Sequence, residues 1–287
     1  MALTEGLLLA LVSMISWGVA DFIAVGPVRK IGNIRTLAIG QAAIFAAMLV
    51  YVAAFPGNIH FTNRAVFLSF PPSALIILGF LAMYKGIQVG KVSIVTPIVS
   101  SWSLVAIFIG FLFFQQAPSA NHVAGALLIM SGIFLVAARF QDIRSAIKKH
   151  SVKGVPEALL SMLFYGLALA FNKIVIDEVG WLSASFLFSV WQTFMLAALF
   201  FSRNSGKPEI SRNYLLIAVA AGLLNWFGGL SYNLGISSEY LSVVSPIASA
   251  SVFVTVVLSF ILLKERLTKS QYAGVASVIT GIIIMAM

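Results

Sequence analysis

The sequence predicts an all-α integral membrane protein: ten transmembrane helices arranged as two inverted five-helix repeats. Three observations carry that expectation. Of 287 residues, 60% are hydrophobic and only 9% charged, where soluble chains carry roughly 25% charged residues; mean hydropathy is +1.02. Apolar runs of about 20 residues recur, each long enough to cross the hydrocarbon layer as a helix. The segment SIVTPIVSS (93–101) has a near copy, SVVSPIASA, at 242–250. A β-barrel is excluded, because its strands would alternate over about ten residues.

The first span is expected at 6–26. No basic n-region or A-x-A site accompanies it, so it reads as a span rather than a signal peptide. Spans two to five are expected at 35–55, 70–90, 94–114 and 121–139. A polar, basic stretch, FQDIRSAIKKHSVKGV (140–155), divides the chain almost in half. Spans six to ten follow at 156–176, 182–202, 213–234, 241–262 and 270–286. The expected organisation is a first repeat over 1–140, a basic connecting loop over 141–155 and a second repeat over 156–287.

Of the 18 Lys and Arg, all but Arg64 and Lys173 fall on one side of these spans. Basic loops between spans stay on the cytoplasmic side. The odd-numbered loops are therefore expected in the cytoplasm and both termini outside a cell membrane. The same loops account for the net charge of +9 without any nucleic acid. The absence of Cys excludes disulfides and thiol metal sites.

With Pro97 set on Pro246, Gly86 falls on Gly235, Thr96 on Ser245, Ser100 on Ser249, Gly125 on Gly274 and Gly132 on Gly281. One residue out of that register, Ser13 falls on Ser161, Trp17 on Tyr165, Gly18 on Gly166 and Tyr84 on Tyr232. Five spans per copy is an odd number, so the second copy enters from the opposite side. Inverted repeats place a binding site near the membrane midplane, between the halves. A proline inside a helix removes a backbone hydrogen bond and bends it. In lipid, the freed carbonyl needs protein or a wet cavity. Pro97 and Pro246 are therefore expected at kinks that serve gating, with simple packing as the other reading.

Trp17-Gly18 in span one and LLKERLTKSQYAGVASVITGIII (262–284) complete the pattern. With its ten spans in two halves, the chain resembles the EamA-type transporters of the drug/metabolite transporter superfamily. Glu265, Leu267, Gln271, Gly274 and Gly281 match the end of the family's repeat, whereas the first half has Gln116 where Glu is expected. The resemblance covers nearly the whole chain. It implies a secondary transporter working by alternating access, with a central cavity lined mainly by spans one, three, four, six, eight and nine. Relatives export amino acids and other metabolites or translocate nucleotide sugars and sugar phosphates. Ten-span relatives are usually described with cytoplasmic termini, opposite to the charge distribution here.

Candidate cavity residues follow from helical spacing. They are Ser13 and Trp17 in span one, Tyr84 in span three, Thr96 and Ser100 in span four, and Tyr165 and Asn172 in span six. Asn225, Trp226 and Tyr232 in span eight and Ser245 and Ser249 in span nine complete the set. Gln41 and Gln192 are further polar residues within spans. Each hydroxyl also has a packing reading, since Ser and Thr fill tight helix contacts in lipid. Gly125, Gly132, Gly274 and Gly281 read as such contacts, and Thr268 with Gln271 as a capping box.

Asp21, Lys85 and Lys173 are the candidates for charge coupling, because ionisable groups inside a membrane are expensive and functional. Each lysine also has a snorkelling reading, and Asp21 an end-of-helix pairing with Arg29 or Lys30. The expected substrate is a small polar metabolite, amino acids ahead of anionic metabolites that would use Lys85 and Lys173. A non-transporting receptor or scaffold is the third reading. No catalytic residues, metal or cofactor are expected: His60, His122 and His150 lie far apart in or near loops, and an aspartyl mechanism would need a partner for Asp21. The expected partners are a small-molecule substrate and the lipid bilayer, and a monomer is compatible with the repeat.

Overall fold

The structure, a computed structural model, describes residues 5–55, 59–90, 92–137, 153–202, 211–262 and 268–287. Every regular element among these residues is a helix. The first half of the chain gives α1 (Glu5–Ile31), α2 (Asn33–Ala54), α3 (Asn63–Leu68), α4 (Phe70–Val89), α5 (Val92–Ser100), α6 (Trp102–Phe114) and α7 (Ala120–Ala137). The second gives α8 (Val155–Ser202), α9 (Arg212–Ser238), α10 (Leu241–Ser249), α11 (Ser251–Leu262) and α12 (Lys269–Met285). Among the described residues, seven helical stretches are long and apolar enough to cross a bilayer. Glu265, Leu267 and most of the stretch 140–155 lie outside the described residues.

The helix count departs from ten separate rods in two ways. Expected spans six and seven form one run, α8, of 48 residues. At 1.5 Å per residue that is about 72 Å, more than twice the hydrocarbon thickness. The run breaks at Gly180, with φ 80° and ψ 159°. That backbone suits glycine alone, and a side chain there would meet nothing within 4 Å, so conformation rather than crowding is what glycine supplies.

Expected spans four and nine are each divided in two, four residues after the proline. At the first division Ser101 N donates to Ile98 O (3.1 Å) and Leu104 N to Ser101 O (3.0 Å). At the second, Ala250 N donates to Ile247 O (3.1 Å) and Phe253 N to Ala250 O (2.8 Å). These i→i+3 bonds tighten the helix into a 3₁₀ turn, and the second set repeats the first 149 residues on.

Close packing also repeats between the two halves. α1 lies on α9 and α11; α4 and α6 lie on α8; α7 lies on α12. A Cβ on Gly18 would stand 2.5 Å from Ser251 O, and one on Gly166 would stand 2.6 Å from Trp102 O. Gly125 and Gly281 abut in the α7–α12 seam, as do Gly132 and Gly274. Small residues let helix backbones approach this closely. The Thr268–Gln271 capping box forms at the start of α12.

Large apolar side chains cover the outside: Phe108, Phe111, Phe194 and Phe201 are all exposed. Fully buried positions include Ser13, Ser161, Asn172 and Ser245. An apolar exterior around polar interior groups is the arrangement a bilayer requires.

Candidate functional site

Two aromatic clusters occupy the middle of the bundle, and they differ. In the first, Trp17 from α1 meets Tyr232 from α9 (ring centroids 5.5 Å) and Trp102 from α6 (6.3 Å). Trp102 and Tyr232 complete the triangle at 5.8 Å. Trp17 Nε1 donates to the backbone oxygen of Asn225 (3.2 Å). The hydroxyls of Tyr232 and Ser245 share a hydrogen bond of 2.9 Å. Beneath it, Ser249 Oγ donates to Ser103 Oγ (3.0 Å). Every residue of α10 is buried. Ser242 on that helix and Ser13 on α1 are both buried with no partner for Oγ.

The second cluster holds the corresponding positions Tyr165, Tyr84 and Thr96, and it is loose. The Tyr165 ring packs edge-on against Phe80 (5.3 Å) and covers Gly79, where a Cβ would stand 2.7 Å from the ring. Its hydroxyl is buried without a partner. Tyr84 instead lines a cavity between α1, α2, α4, α8 and α9. Thr96 and Ser100 are half-buried on α5.

That cavity has a volume of about 100 Å³, and its polar wall is Asp21, Thr36, Gln41, Tyr84, Gln192 and Asn225. Gln41 is anchored, its Nε2 donating to Ser189 O (3.2 Å) and Thr193 Oγ1 (3.0 Å). Asp21 is exposed to the cavity space. Among the described residues it is in neither ion pair found, Arg64–Glu178 or Lys173–Asp177. The cavity occupies the end of the bundle where α1 finishes and α2 and α9 begin.

The opposite end is tied shut. Asn172 Nδ2 donates to Asn233 Oδ1 (3.2 Å), and Asn233 Nδ2 donates to Ser185 Oγ (2.8 Å). Thr62 Oγ1 donates to Glu178, which also faces Arg64 at 3.6 Å. The backbone N–H of His60 donates to Ser183 Oγ (3.0 Å). Displaced by 148 residues, Asn172, Ser185 and Asn233 correspond to Ala24, Leu37 and Lys85. Ala24 and Leu37 line the open cavity, and Lys85 is exposed.

The structure thus gathers Asp21, Tyr84 and Asn225 around one space, with Tyr165 beside it. It places Trp17, Tyr232, Ser245 and Ser249 in the closed cluster and Asn172 in the seal. Trp226 stands elsewhere, in an apolar groove of about 950 Å³ between α2 and α9, edge-on to Tyr51 (6.3 Å). Lys173 lies off the cavity wall, with Nζ donating to Asp177 (2.7 Å) and standing 5.8 Å from the Phe114 ring centroid. Sequence reasoning did not find Trp102, Ser185 or Thr36; a tryptophan far from the interfacial belt was the available signal for the first. Among the described residues, no group of three or more His, Asp or Glu could hold a metal.

The sequence profile of the EamA-like transporter family matches the chain twice, over residues 4–138 and 152–287. An uncharacterized transporter from Archaeoglobus fulgidus is 21% identical over 233 residues, covering 80% of this chain and 79% of that protein. An uncharacterized protein from Methanocaldococcus jannaschii is 27% identical over 131 residues, covering 45% of this chain and 92% of the relative. One solved crystal structure superposes with a TM-score of 0.83 at 11% identity, covering 99% of this chain and 96% of the other. At that identity the superposition speaks for the fold alone.

Proposed function

The chain belongs to the EamA-like transporter family and is a multi-pass membrane transporter; from that premise we propose that it moves a small polar metabolite by alternating access between two inverted five-helix repeats. In this reading residues 1–140 and 156–287 are the repeats, joined by the basic loop 141–155. Their ten spans count α8 as two, divided at Gly180, and pair α3 with α4, α5 with α6 and α10 with α11. The basic loops are cytoplasmic, so the open cavity faces the cytoplasm and the seal faces outward.

One observation carries the proposal. Positions related by the 148-residue offset are tied together at one end, through Asn172, Asn233 and Ser185, and line a cavity at the other, through Ala24 and Leu37. A pair of halves that can exchange these two arrangements exposes one central site to each side in turn. Amino acids lead as substrates, because the cavity wall offers amides, hydroxyls and one carboxylate. The anion reading has less support, since Lys173 is held by Asp177 and Lys85 does not line the cavity. Pro97 and Pro246 lie beside the helix breaks and serve as gating kinks. Asp21 is the remaining candidate for ion coupling.

Counterflow in proteoliposomes tests the proposal. Vesicles are loaded with amino acids, nucleotide sugars and sugar phosphates, and labelled tracers are followed singly, with and without a pH gradient. Saturable exchange of amino acids is expected. Silence across the panel from folded protein favours the receptor or scaffold reading instead.

A further inference from the structure

Asp21 combines two properties that rarely coincide. Helices α1, α2, α4, α8 and α9 enclose the cavity it lines, yet its side chain is exposed to that space and, among the described residues, has no hydrogen-bond or ion-pair partner. Among the described residues, no Lys, Arg or His lines the cavity. The Tyr165 hydroxyl is buried and unpartnered, and both Tyr84 and Asp21 lie within its electrostatic reach. A carboxylate at membrane depth is expensive unless something of opposite charge joins it. The described residues do not supply that charge in this cavity.

Among the described residues, the only charge on the wall is negative, which also selects the sign of what enters, because like charge and unmatched charge are both penalised. Ile77, Phe80, Leu81 and Leu196 make up the apolar wall and suit a short hydrocarbon body. A volume of about 100 Å³ falls below the roughly 300–1,000 Å³ of drug-sized sites, which fits a small head group and no sugar nucleotide. We infer that the cavity recognises a protonated amine, with Asp21 as its counter-charge and Tyr84 and Asn225 as hydrogen-bond partners. Among the described residues the wall meets a carboxylate only with neutral donors such as Thr36, Gln192 and Asn225, so an alkyl amine is preferred to the amino acid of the same side chain. The inference rests on the transporter reading but departs from its amino-acid expectation, placing alkyl amines ahead of amino acids as the substrate class.

Three compounds with one hydrocarbon body test it: 3-methylbutylamine, leucine and 4-methylpentanoate. Each is titrated calorimetrically into the full chain in detergent micelles, with potassium chloride as the salt and a separate titration of NaCl. The expected result is amine binding about ten-fold or more tighter than leucine, and none by the carboxylate. Asp21→Asn weakens amine binding by about ten-fold or more, whereas Asp21→Glu retains the preference. Both variants are required to elute and melt as the parent does.

Binding of leucine or the carboxylate as tight as that of the amine overturns the inference. So does amine binding indifferent to Asp21→Asn, a response to sodium alone, or no binding at all. Leucine counterflow that is independent of Asp21 also overturns it and leaves the transporter reading standing. Amine binding without counterflow of any solute keeps the site and overturns the transporter reading.

Discussion

Asn172 donates a 3.2 Å hydrogen bond to Asn233, joining α8 to α9 at the sealed end. Asn172 is fully buried and Asn233 passes the connection on to Ser185 beyond the break in α8. Asn233 therefore holds three helical segments together through one side chain. Asn233→Ala removes both bonds, each worth about 1 kcal/mol. The open fraction at this end is expected to rise by a factor of about 5–30. The chain has no Cys, so Ser242→Cys, at a buried position of α10, gives a clean reporter. Its rate of labelling by an impermeant maleimide from the sealed side measures the effect, and an unchanged rate removes Asn233 from the gate.

In the α7–α12 seam, a Cβ on Gly281 would stand 2.7 Å from Gly125 O, and one on Gly132 would stand 2.8 Å from Gly274 O. The two contacts exchange under the 149-residue offset, as in a self-complementary two-fold interface. Gly281→Ala and Gly132→Ala are expected to destabilise the protein by similar amounts, about 1–3 kcal/mol each. Gly229 is the contrast, since a Cβ there meets nothing within 4 Å. Gly229→Ala in mid-α9 is expected to be neutral or to stabilise by up to about 1 kcal/mol. Thermal unfolding in detergent checks all three; a tolerated Gly281→Ala means the seam yields.

The seam shows what is legible in such a sequence. Gly125 and Gly132, seven apart, mark a helix contact, as do their copies at Gly274 and Gly281; that the two contacts are one seam is visible only in the structure. The doubled proline segment likewise forecasts two matching helix breaks, and Thr268 with Gln271 the cap of α12. Helix rotation is different. A span apolar all round carries no amphipathic stripe to orient it, so spacing alone groups Trp17 with Asp21 but cannot say that one packs and the other faces a cavity. The partners of Asn172 also lie 61 residues away at Asn233, beyond any local pattern. The difference between the sealed end and the open end is invisible in sequence, because both copies carry the same signal and only packing distinguishes them.

Gln116 occupies the place where the family pattern leads one to expect Glu, and its Oε1 accepts a hydrogen bond from Leu241 N (2.9 Å). Leu241 opens α10, whose first N–H groups lack partners within the helix. Gln116 is thus a cap supplied from the other half of the chain, and it is buried. Gln116→Leu is expected to cost about 0.5–2 kcal/mol, in the range of a lost N-cap. Gln116→Glu keeps the acceptor and adds charge where a helix N-terminus favours it, so it is expected to be tolerated. Thermal unfolding of both variants decides, and equal losses would assign Gln116 to packing by shape.

Pro97 and Pro246 allow stability and function to be separated. Ser101 Oγ donates to Pro97 O (2.9 Å), and Ser249 Oγ donates to Pro246 O (2.9 Å). Each hydroxyl occupies a carbonyl beside the break. Replacing either proline with alanine restores a backbone N–H that can bond the carbonyl four residues earlier, at Ser93 or Ser242, and so straightens and stiffens that helix, removing a penalty of about 3 kcal/mol. If the breaks exist only for packing, straightening a helix inside a tightly filled bundle lowers stability and leaves residual counterflow in proportion to folded protein. If they are hinges, Pro97→Ala and Pro246→Ala leave the melting temperature unchanged or raised while counterflow falls about ten-fold or more, because the halves can no longer exchange arrangements. The second outcome is expected, and for both prolines, since the hydrogen bonds around Ser101 recur around Ala250. Counterflow normalised to folded protein, measured beside the melting curve, separates the two.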